Sequence, residues 1–451
     1  MTTKKINRRG FLKTSSMLGM GAALGLSAVP YSMQSQTRKP AILGGKRSFN
    51  GTWHGWPVFG TPEEQELLKV LHSGQWCRLG SPTAPRFEDD FRKMTGSGHA
   101  LATSSGTTAL YTMLGALDIG PGDEVILPPY TFIATYNVIV QNYALPIFVD
   151  TDIESFQIDA TKIEAAITPA TKVLMPVHIG GSPFDIDTVM KVASKYNLPV
   201  IEDACQAHFA EWKGKKVGNY GMGGAFSFQG SKNLNSGEGG AIITNNKDFY
   251  NKCYSFHHQG QGSDAASLEP GSGTRASNLR LTEFQAAILL AQMTRIPEQV
   301  EQRTENADYL TEMLSEIPGI KPAKLYKGTT RSAYHLYMFR YDKKAFAGMD
   351  RSKFIEALSA EGIPCSMGYG TLTKDTYVKN LAQNKHYLQV YGEKRMKQWL
   401  EQLSCPMNDK LCEEEALWFY QTMLLGSKSD MEMIAEAIKK ISREAKAISK
   451  L

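Results

Sequence analysis

Short apolar runs alternate with segments of helical periodicity from residue 62 to residue 205. The runs are rich in Val, Ile and Leu and have the length of buried strands, while the other segments repeat apolar residues every three or four positions. Strands are predicted at the start of 99–117 and at 123–129, 145–150, 171–178 and 198–205. Helices are predicted at the end of 99–117 and at 62–73, 85–94, 130–143, 159–167 and 185–196. This alternation predicts an α/β fold, with a mostly parallel sheet covered by helices on both faces.

The pattern changes near residue 300, which predicts a second and smaller domain. A long helix is expected over 282–316, a strand over 335–342 and a helix over 352–362. A capping box of Ser429 and Glu432 is expected to open the last helix. We therefore predict a signal segment, a linker, a large α/β domain and a smaller C-terminal α+β domain, with limits at 1–30, 31–50, 51–300 and 301–451.

The composition is that of an ordinary globular protein, with 42% hydrophobic and 21% charged residues among 451. The net charge of +5 comes from residues 1–13, which contain five basic residues and no acid. The rest of the chain has 45 basic and 45 acidic residues, so it lacks the basic field expected of a nucleic-acid-binding protein.

The N-terminus is predicted to be a targeting segment. Arg8 and Arg9 precede a Gly- and Ala-rich apolar run over 17–29, and together they resemble a twin-arginine export signal. The run is too short and too rich in Gly to predict a membrane span. Export would place the protein in the periplasm, with cleavage near 27–28 or with the segment retained as an anchor. The alternative is a basic tail on a cytoplasmic protein.

Metal, disulfide and dinucleotide sites are not indicated by the sequence. The six cysteines are scattered without a CxxC pair, and no HExxH, EF-hand or GxxxxGK[ST] pattern is present. The Gly-rich stretch 218–224 leads into a strand rather than a helix, which argues against a dinucleotide-binding loop.

A single lysine lies in a hairpin-like element over residues 225–244. Two apolar runs, 225–228 and 241–244, flank a polar, Gly-rich turn that carries Lys232. The pattern predicts a hairpin whose exposed tip presents one amine. Most lysines are solvated surface charges, so the hairpin alone does not identify a catalytic residue.

Other segments supply the groups that pyridoxal phosphate requires. The Ser/Gly/Thr turn at 104–108 opens a helix, where unpaired N–H groups can bind a phosphate, although Ser and Thr also favour an ordinary N-cap. Asp203 ends an apolar strand, and a carboxylate buried there must either pair with a cation or become protonated. A lysine can form a Schiff base with the cofactor, while an acid keeps the pyridine nitrogen protonated.

Several segments together resemble the DegT/DnrJ/EryC1/StrS family of sugar and cyclitol aminotransferases. The matching stretches are IEDACQAHFA (201–210), GAFSFQGSKNLNSGEGGAIIT (224–244), SSGTTAL (104–110), PPYTFIATYNVI (128–139), VHIGGSPFDID (177–187) and SNLRLTEFQAAI (277–288). The resemblance covers roughly residues 45–445 and implies the type I fold of pyridoxal-phosphate enzymes. It also implies two half-reactions, in which glutamate or glutamine donates an amino group that a sugar or cyclitol ketone accepts.

The resemblance assigns roles around the cofactor ring. Lys232 would form the Schiff base and move the proton, and Asp203 would bind the pyridine nitrogen. Gln206 would hydrogen-bond the 3-hydroxyl, and Phe132 would stack on the ring, although a core aromatic is the alternative for this residue.

The resemblance also assigns the phosphate site. Gly106, Thr107, Thr108 and Ser227 would hold the phosphate, although Ser227 could also be a simple strand-edge hydroxyl. Asn278 would reach the phosphate of a neighbouring subunit, which predicts a homodimer with shared active sites.

Two departures from the family pattern concern the acceptor. Gln229 stands where the family often has histidine, and the loop at 362–375 lacks the histidine that the family often has there. These changes argue against nucleotide-sugar recognition and favour the branch that aminates inosose-type cyclitols.

Two rival functions remain at this point. The family's dehydratases replace the Schiff-base lysine by histidine, so Lys232 argues against a dehydratase. An exported binding or regulatory protein that keeps the fold without turnover is the rival from another class, because an amino donor is not expected outside the cytoplasm.

Overall fold

The computed structural model describes residues 39–262 and 275–451, and its elements follow the predicted alternation. The strands are β1 (His99–Thr103), β2 (Glu124–Leu127), β3 (Leu145–Phe148), β4 (Thr171–Leu174), β5 (Ile201–Asp203), β6 (Glu211–Trp212), β7 (Lys215–Lys216), β8 (Gly223–Ser227), β9 (Gly240–Thr244), β10 (Ile320–Pro322), β11 (Thr329–Arg331), β12 (Leu336–Tyr341) and β13 (Ala416–Tyr420). The predicted signal segment lies outside the described residues.

The helices alternate with these strands. They are α1 (Thr61–Ser73), α2 (Thr83–Thr95), α3 (Gly106–Ala116), α4 (Ala134–Gln141), α5 (Ile163–Ala166), α6 (Ile186–Tyr196), α7 (Lys247–His257), α8 (Glu283–Met293), α9 (Ile296–Ser315), α10 (Arg351–Ala360), α11 (Thr376–Lys379), α12 (Lys385–Glu401), α13 (Pro406–Lys410), α14 (Lys428–Arg443) and α15 (Ala445–Ile448). Within the two described ranges, none of these helices combines the length and the apolar character needed to cross a membrane.

The central sheet has the order β1–β9–β8–β5–β4–β2–β3. Strand β2 pairs in parallel with β3 and β4, and β5 pairs in parallel with β8. Parallel bridges from Leu174 to Val200 and from Val177 to Asp203 join the two halves. Strand β9 is antiparallel to both β1 and β8. The predicted mostly parallel sheet is therefore confirmed, with β9 as the reversed strand.

The lysine hairpin, residues 223–244, is formed as predicted, but its tip is only partly exposed. Strands β8 and β9 pair from Gly224 opposite Ile243 to Ser227 opposite Gly240. In the tip, Leu234 is fully buried and Lys232 is half-buried. The prediction of an exposed tip was wrong for residues 233–236, which are buried because Leu234 packs in the main hydrophobic core.

The predicted helix over 282–316 is divided in two. Helix α8 ends at Met293 and α9 begins at Ile296, with Pro297 in its first turn. Proline has no N–H to continue an incoming helix and its ring clashes with the preceding turn, so the continuous helix was wrong at this point.

The last long helix is capped two residues earlier than predicted. Asp430 N donates to Ser427 Oγ at 3.2 Å, and Ser427 N donates to Asp430 Oδ2 at 2.7 Å. Glu432 instead accepts a hydrogen bond from Tyr309 Oη on α9. The predicted box of Ser429 and Glu432 was wrong because the upstream Ser–Asp pair satisfies the first N–H groups of the helix.

The described residues pack in two layers, and each layer has its own large hydrophobic core. One surrounds the central sheet, and the other packs α9, α10 and α14 against the antiparallel sheet β10–β12–β13. Buried residues between 372 and 405 belong to the core of the central sheet; for example, Trp399 Nε1 donates to the carbonyl of Pro146 at 2.7 Å. Phe49 packs in the other core, stacked on Trp53. The chain therefore crosses between the layers more than once, and the predicted domain limits stay a prediction.

Candidate active site

A cavity of about 720 Å³ opens where strands of the central sheet end. Asp203 at the end of β5 and Ser227 at the end of β8 line it. The turns after β1 and β2 and the tip of the lysine hairpin form further parts of its lining. The β12–β13 sheet closes the cavity from the other layer. In open α/β sheets ligands bind at this edge, as the sequence analysis expected.

The N-terminus of α3 provides an anion cradle. Ser105 is the N-cap, and its Oγ accepts from Thr108 N while its carbonyl accepts from Ala109 N. The N–H groups of Gly106 and Thr107, which both line the cavity, have no partner among the described residues. A Cβ on Gly106 would lie 2.7 Å from Ser227 Cβ and from Cys205 Sγ. Only glycine allows this close approach, which brings the helix terminus and the Ser227 hydroxyl to one side of the cavity.

Asp203 has a buried acid side chain without an ion-pair partner in the described part of the chain. Its side chain is 5% exposed and accepts hydrogen bonds from Thr135 Oγ1 at 2.9 Å and from Cys205 N at 3.2 Å. These two neutral donors orient the carboxylate but do not neutralise it. A protonated ring nitrogen would supply the missing positive charge.

Phe132 and Gln206 also line the cavity. Phe132 is 56% exposed, which rules out the alternative of a core aromatic. The Gln206 amide is fixed at both ends, because its Oε1 accepts from Gly180 N at 2.8 Å and its Nε2 donates to Tyr369 Oη at 2.8 Å. No local pattern in the sequence predicts the hydrogen bond between Gln206 and Tyr369.

Lys232 faces the cavity from the hairpin tip. Burial lowers the pKa of its amine, and the nearby Cys205 and Asp203 side chains oppose this shift only in part. Its backbone carbonyl accepts from Trp56 Nε1 at 3.2 Å, which holds the tip in place. A lysine with a lowered pKa is more often neutral, and a neutral amine is the form that attacks a carbonyl or takes up a proton.

Two predicted residues lie outside the cavity lining. Thr108 uses both its N–H and its hydroxyl in the capping box with Ser105. Asn278 is exposed and forms a β-bridge with His258. Their contacts with a phosphate stay predictions.

The structure adds a group of lining residues that the sequence analysis missed. We call this group the second wall: Trp56, His335, Tyr369 and Gln421. Its members come from four distant parts of the chain, so no local motif could have marked them. The predicted lining residues form the motif wall: Gly106, Thr107, Phe132, Asp203, Gln206, Ser227 and Lys232.

His335 contributes a neutral side chain to the second wall. Its Nδ1 lies 3.1 Å from Asn233 Oδ1. Burial lowers the pKa of His335 well below its usual value, and the charge of Lys232 acts in the same direction. The only signal in the sequence was its place at the start of the predicted strand 335–342.

Gln229 and the 362–375 loop both reach the cavity, so the two departures from the family pattern lie at the site. Gln229 lines the cavity, while its Oε1 accepts from the N–H and the hydroxyl of Ser231. Tyr369 is the residue through which the loop contributes to the lining.

Comparison with known proteins gives a consistent result. The sequence model of the DegT/DnrJ/EryC1/StrS aminotransferase family matches residues 59–418. The chain is 35% identical over 404 residues to an L-glutamine:2-deoxy-scyllo-inosose aminotransferase of Streptoalloteichus tenebrarius, covering 86% of this chain and 94% of that protein. It is 30% identical to a 3-amino-5-hydroxybenzoate synthase of Amycolatopsis mediterranei, covering 85% and 95%. It also resembles the X-ray structure of an aminotransferase from Psychrobacter cryohalolentis, with a TM-score of 0.75, 30% identity and coverage of 86% and 98%.

Proposed function

The chain belongs to the DegT/DnrJ/EryC1/StrS aminotransferase family, whose members use pyridoxal 5'-phosphate, and from this premise we propose its substrates and the roles of its residues. It is an aminotransferase that moves an amino group from glutamine or glutamate to the ketone of an inosose-type cyclitol or a sugar. The observation that carries the proposal is one cavity that joins the Lys232 amine, the Asp203 carboxylate and the α3 anion cradle. A cyclitol is the favoured acceptor because a 35% identical relative is named for an inosose.

The residues present fit pyridoxal phosphate. The phosphate would lie at the N–H groups of Gly106 and Thr107 and at the Ser227 hydroxyl, while Asp203 would face the ring nitrogen. Phe132 would cover one face of the ring, and Gln206 would hydrogen-bond its 3-hydroxyl. When bound, the cofactor supplies an electron sink that makes the substrate carbon–hydrogen bond acidic.

Lys232 is the group that binds the cofactor covalently and moves the proton. Burial lowers its pKa, so a larger fraction of the amine is unprotonated and available as a base. Trp56 fixes the backbone at Lys232, which limits the positions that the amine can sample. The same amine can therefore serve both halves of the reaction.

A spectroscopic experiment tests this assignment. The purified protein is expected to show the visible absorbance of a lysine-bound cofactor, and Lys232→Ala is expected to abolish it. Glutamine or glutamate should then convert the wild-type absorbance to that of the amine form, and an inosose should restore it. An unchanged spectrum in Lys232→Ala would contradict the proposal. A bound cofactor that no amino donor converts would favour the non-catalytic binding protein, and release of water without amino transfer would favour the dehydratase.

The proposed unit is a homodimer with shared sites. Support comes from Asn278, which is exposed and lies outside the cavity of its own chain, as a residue that serves a partner must. Sedimentation should give a dimer, and mixing Lys232→Ala chains with Asn278→Ala chains should restore the cofactor affinity of one site per dimer. A monomer, or mixed chains without recovery, would contradict this arrangement.

Export by the twin-arginine route is proposed from Arg8 and Arg9 alone. Cell fractionation should find the protein in the periplasm, and Arg8→Lys with Arg9→Lys should retain it in the cytoplasm. N-terminal sequencing of the exported protein would show whether cleavage occurs near residues 27–28. If the wild type and the double variant were distributed equally between periplasm and cytoplasm, export by this route would be contradicted.

A further inference from the structure

Arg303 on α9 is a fully buried guanidinium without a carboxylate partner in the described ranges. Its Nε and Nη2 both donate to Gln421 Oε1, at 2.9 and 2.5 Å. Its Nη1 is buried with no hydrogen-bond partner among the described residues. Buried arginines are normally paired with an acid, because an uncompensated charge in the interior is costly. Arg303 therefore needs an explanation that its own packing does not provide.

Gln421 connects this charge to the cavity. It directly follows β13, is 3% exposed and lines the cavity. Two guanidinium N–H groups occupy its amide oxygen, so the amide cannot flip. Its Nε2 has no hydrogen-bond partner among the described residues and remains as a donor. A hydrogen bond from a cation to an amide oxygen polarises the amide, which makes its own N–H groups stronger donors.

Trp56 connects the charge to the backbone of the hairpin tip. Its indole ring lies 5.3 Å from the centre of the Arg303 guanidinium, and its Nε1 donates to the backbone carbonyl of Lys232. One indole thus contacts both the guanidinium and the Lys232 carbonyl. Burial lowers the pKa of Arg303 to about 9, which still leaves the guanidinium charged at neutral pH. This part of the second wall therefore combines the Gln421 Nε2 group, which only donates hydrogen bonds, with the nearby positive charge of Arg303.

We propose that Gln421, held by Arg303, binds the carboxylate of the amino-acid donor and is a specificity-determining residue for the donor half-reaction. The inference rests on the amino transfer proposed above. A carboxylate offers acceptor oxygens and a negative charge, which match the Gln421 Nε2 donor and the charge behind it. The acceptor ketone is uncharged and gains less from this charge. Asp203 cannot substitute for Gln421, because it carries a negative charge that would repel a carboxylate.

The test uses Gln421→Glu in the cofactor-loaded protein. The new carboxylate pairs with Arg303, removes the donor and presents a negative charge to the cavity. The apparent dissociation constant of glutamine in the first half-reaction should rise about 10- to 100-fold, the size of one lost charge-assisted hydrogen bond. An aminocyclitol, which carries the amine without a carboxylate, should react with an apparent dissociation constant within about twofold of wild type. Gln402→Glu is the matched control, because exposed Gln402 also accepts from an arginine, Arg395, but on the surface.

A binding measurement separates this inference from the proposed function. Calorimetry would compare 4-carbamoylbutanoate, which is glutamine without its amino group, with pentanediamide, in which an uncharged amide replaces the carboxylate. Wild type should prefer the carboxylate, and Gln421→Glu should lose that preference even if no amino transfer is observed. Equal weakening of glutamine and the aminocyclitol, weakening of the aminocyclitol alone, or unchanged glutamine binding would each overturn the role of Gln421. Failure of both amines to convert wild type would instead contradict the proposed function.

Discussion

The motif wall and the second wall of the cavity are assembled in different ways. The residues of the motif wall lie at the ends of strands of the central sheet or in the segments that follow them, where a parallel sheet brings strand ends together. The second wall takes Trp56 from a segment before α1, His335 from the position before β12, Tyr369 from a loop and Gln421 from the position after β13. Under the proposed function, the motif wall holds the cofactor and the second wall faces the substrates. The difference shows why an aminotransferase can be recognised from its sequence while its substrate cannot.

The largest expected effect is that of a substitution at Asp203 in the motif wall. Asp203→Asn keeps the shape and the hydrogen bond from Thr135 but removes the acid that is proposed to face the ring nitrogen. The turnover number should fall about 10²- to 10³-fold, because charge stabilisation in a dry site is a large part of catalysis. Single-turnover absorbance would measure it. Asp187→Asn, which removes an exposed surface charge, is the control, and a loss of less than tenfold in Asp203→Asn would contradict the assigned role.

A smaller effect is expected at the anion cradle. Gly106→Ala places a Cβ 2.7 Å from Ser227 Cβ and Cys205 Sγ, so the helix terminus must move away from the phosphate position. Overpacking of this kind typically costs 1–3 kcal/mol, which corresponds to about 10- to 100-fold weaker cofactor binding. Fluorescence titration with pyridoxal phosphate would measure the affinity. Gly98→Ala, whose Cβ would make ordinary contacts at 3.5 Å, should bind normally, and equal affinities in the two variants would contradict the cradle.

A pH-dependent effect is expected at His208, which is buried near Lys232 and Arg303. Burial lowers the pKa of His208 to about 3, with further contributions from Lys232 and Arg303. Because the folded state disfavours the protonated ring, the stability is fully present above about pH 6.5 and is lost as the pH falls toward 3. His208→Phe should reduce the loss of unfolding free energy below pH 6.5 by about 1.4 kcal/mol per pH unit, which is the slope expected for one titrating proton. Urea unfolding at pH 7, 6 and 5 would measure this slope, and an unchanged slope would contradict it.

The smallest effect is expected at the contact between the walls. Tyr369→Phe removes the hydroxyl that accepts from Gln206 Nε2 but leaves Gln206 bound to Gly180. The loss of one neutral hydrogen bond is worth about 0.5–1.5 kcal/mol, so kcat/KM should fall about two- to tenfold. Steady-state kinetics with glutamine and an inosose would measure it. Tyr377→Phe, which removes an exposed hydroxyl bonded to Asn137, should match wild type, and a hundredfold loss in Tyr369→Phe would assign Tyr369 a direct catalytic role.

The fold and the motif wall could largely be predicted because they depend on local patterns. Apolar periodicity placed the strands of the central sheet within a few residues, and the turn after β1 was marked by Ser, Gly and Thr at the start of a helix. The errors had local causes as well. Pro297 interrupted a periodic helix, and Ser427 capped α14 in place of Ser429.

The inward tip of the lysine hairpin could not be predicted from the residues around it. Polar and Gly-rich residues at 229–239 are typical of an exposed turn. Burial of Leu234 in the main core and the hydrogen bond from Trp56, more than 170 positions away in sequence, override that tendency. The half-buried Lys232 amine is therefore a result of tertiary packing.

The sequence by itself determined the α/β alternation, the lysine, the acid and the phosphate-binding turn, because each depends on residues close together in the chain. Only the tertiary structure decided which side chains oppose them across the cavity. Arg303 and Gln421 are 118 positions apart and carry no motif, yet they form a buried cation with a hydrogen-bond donor that faces the reacting lysine's cavity. The physical reason is that the energy of a buried charge depends on the groups that surround it in space. The packing of the two layers alone determines which groups those are.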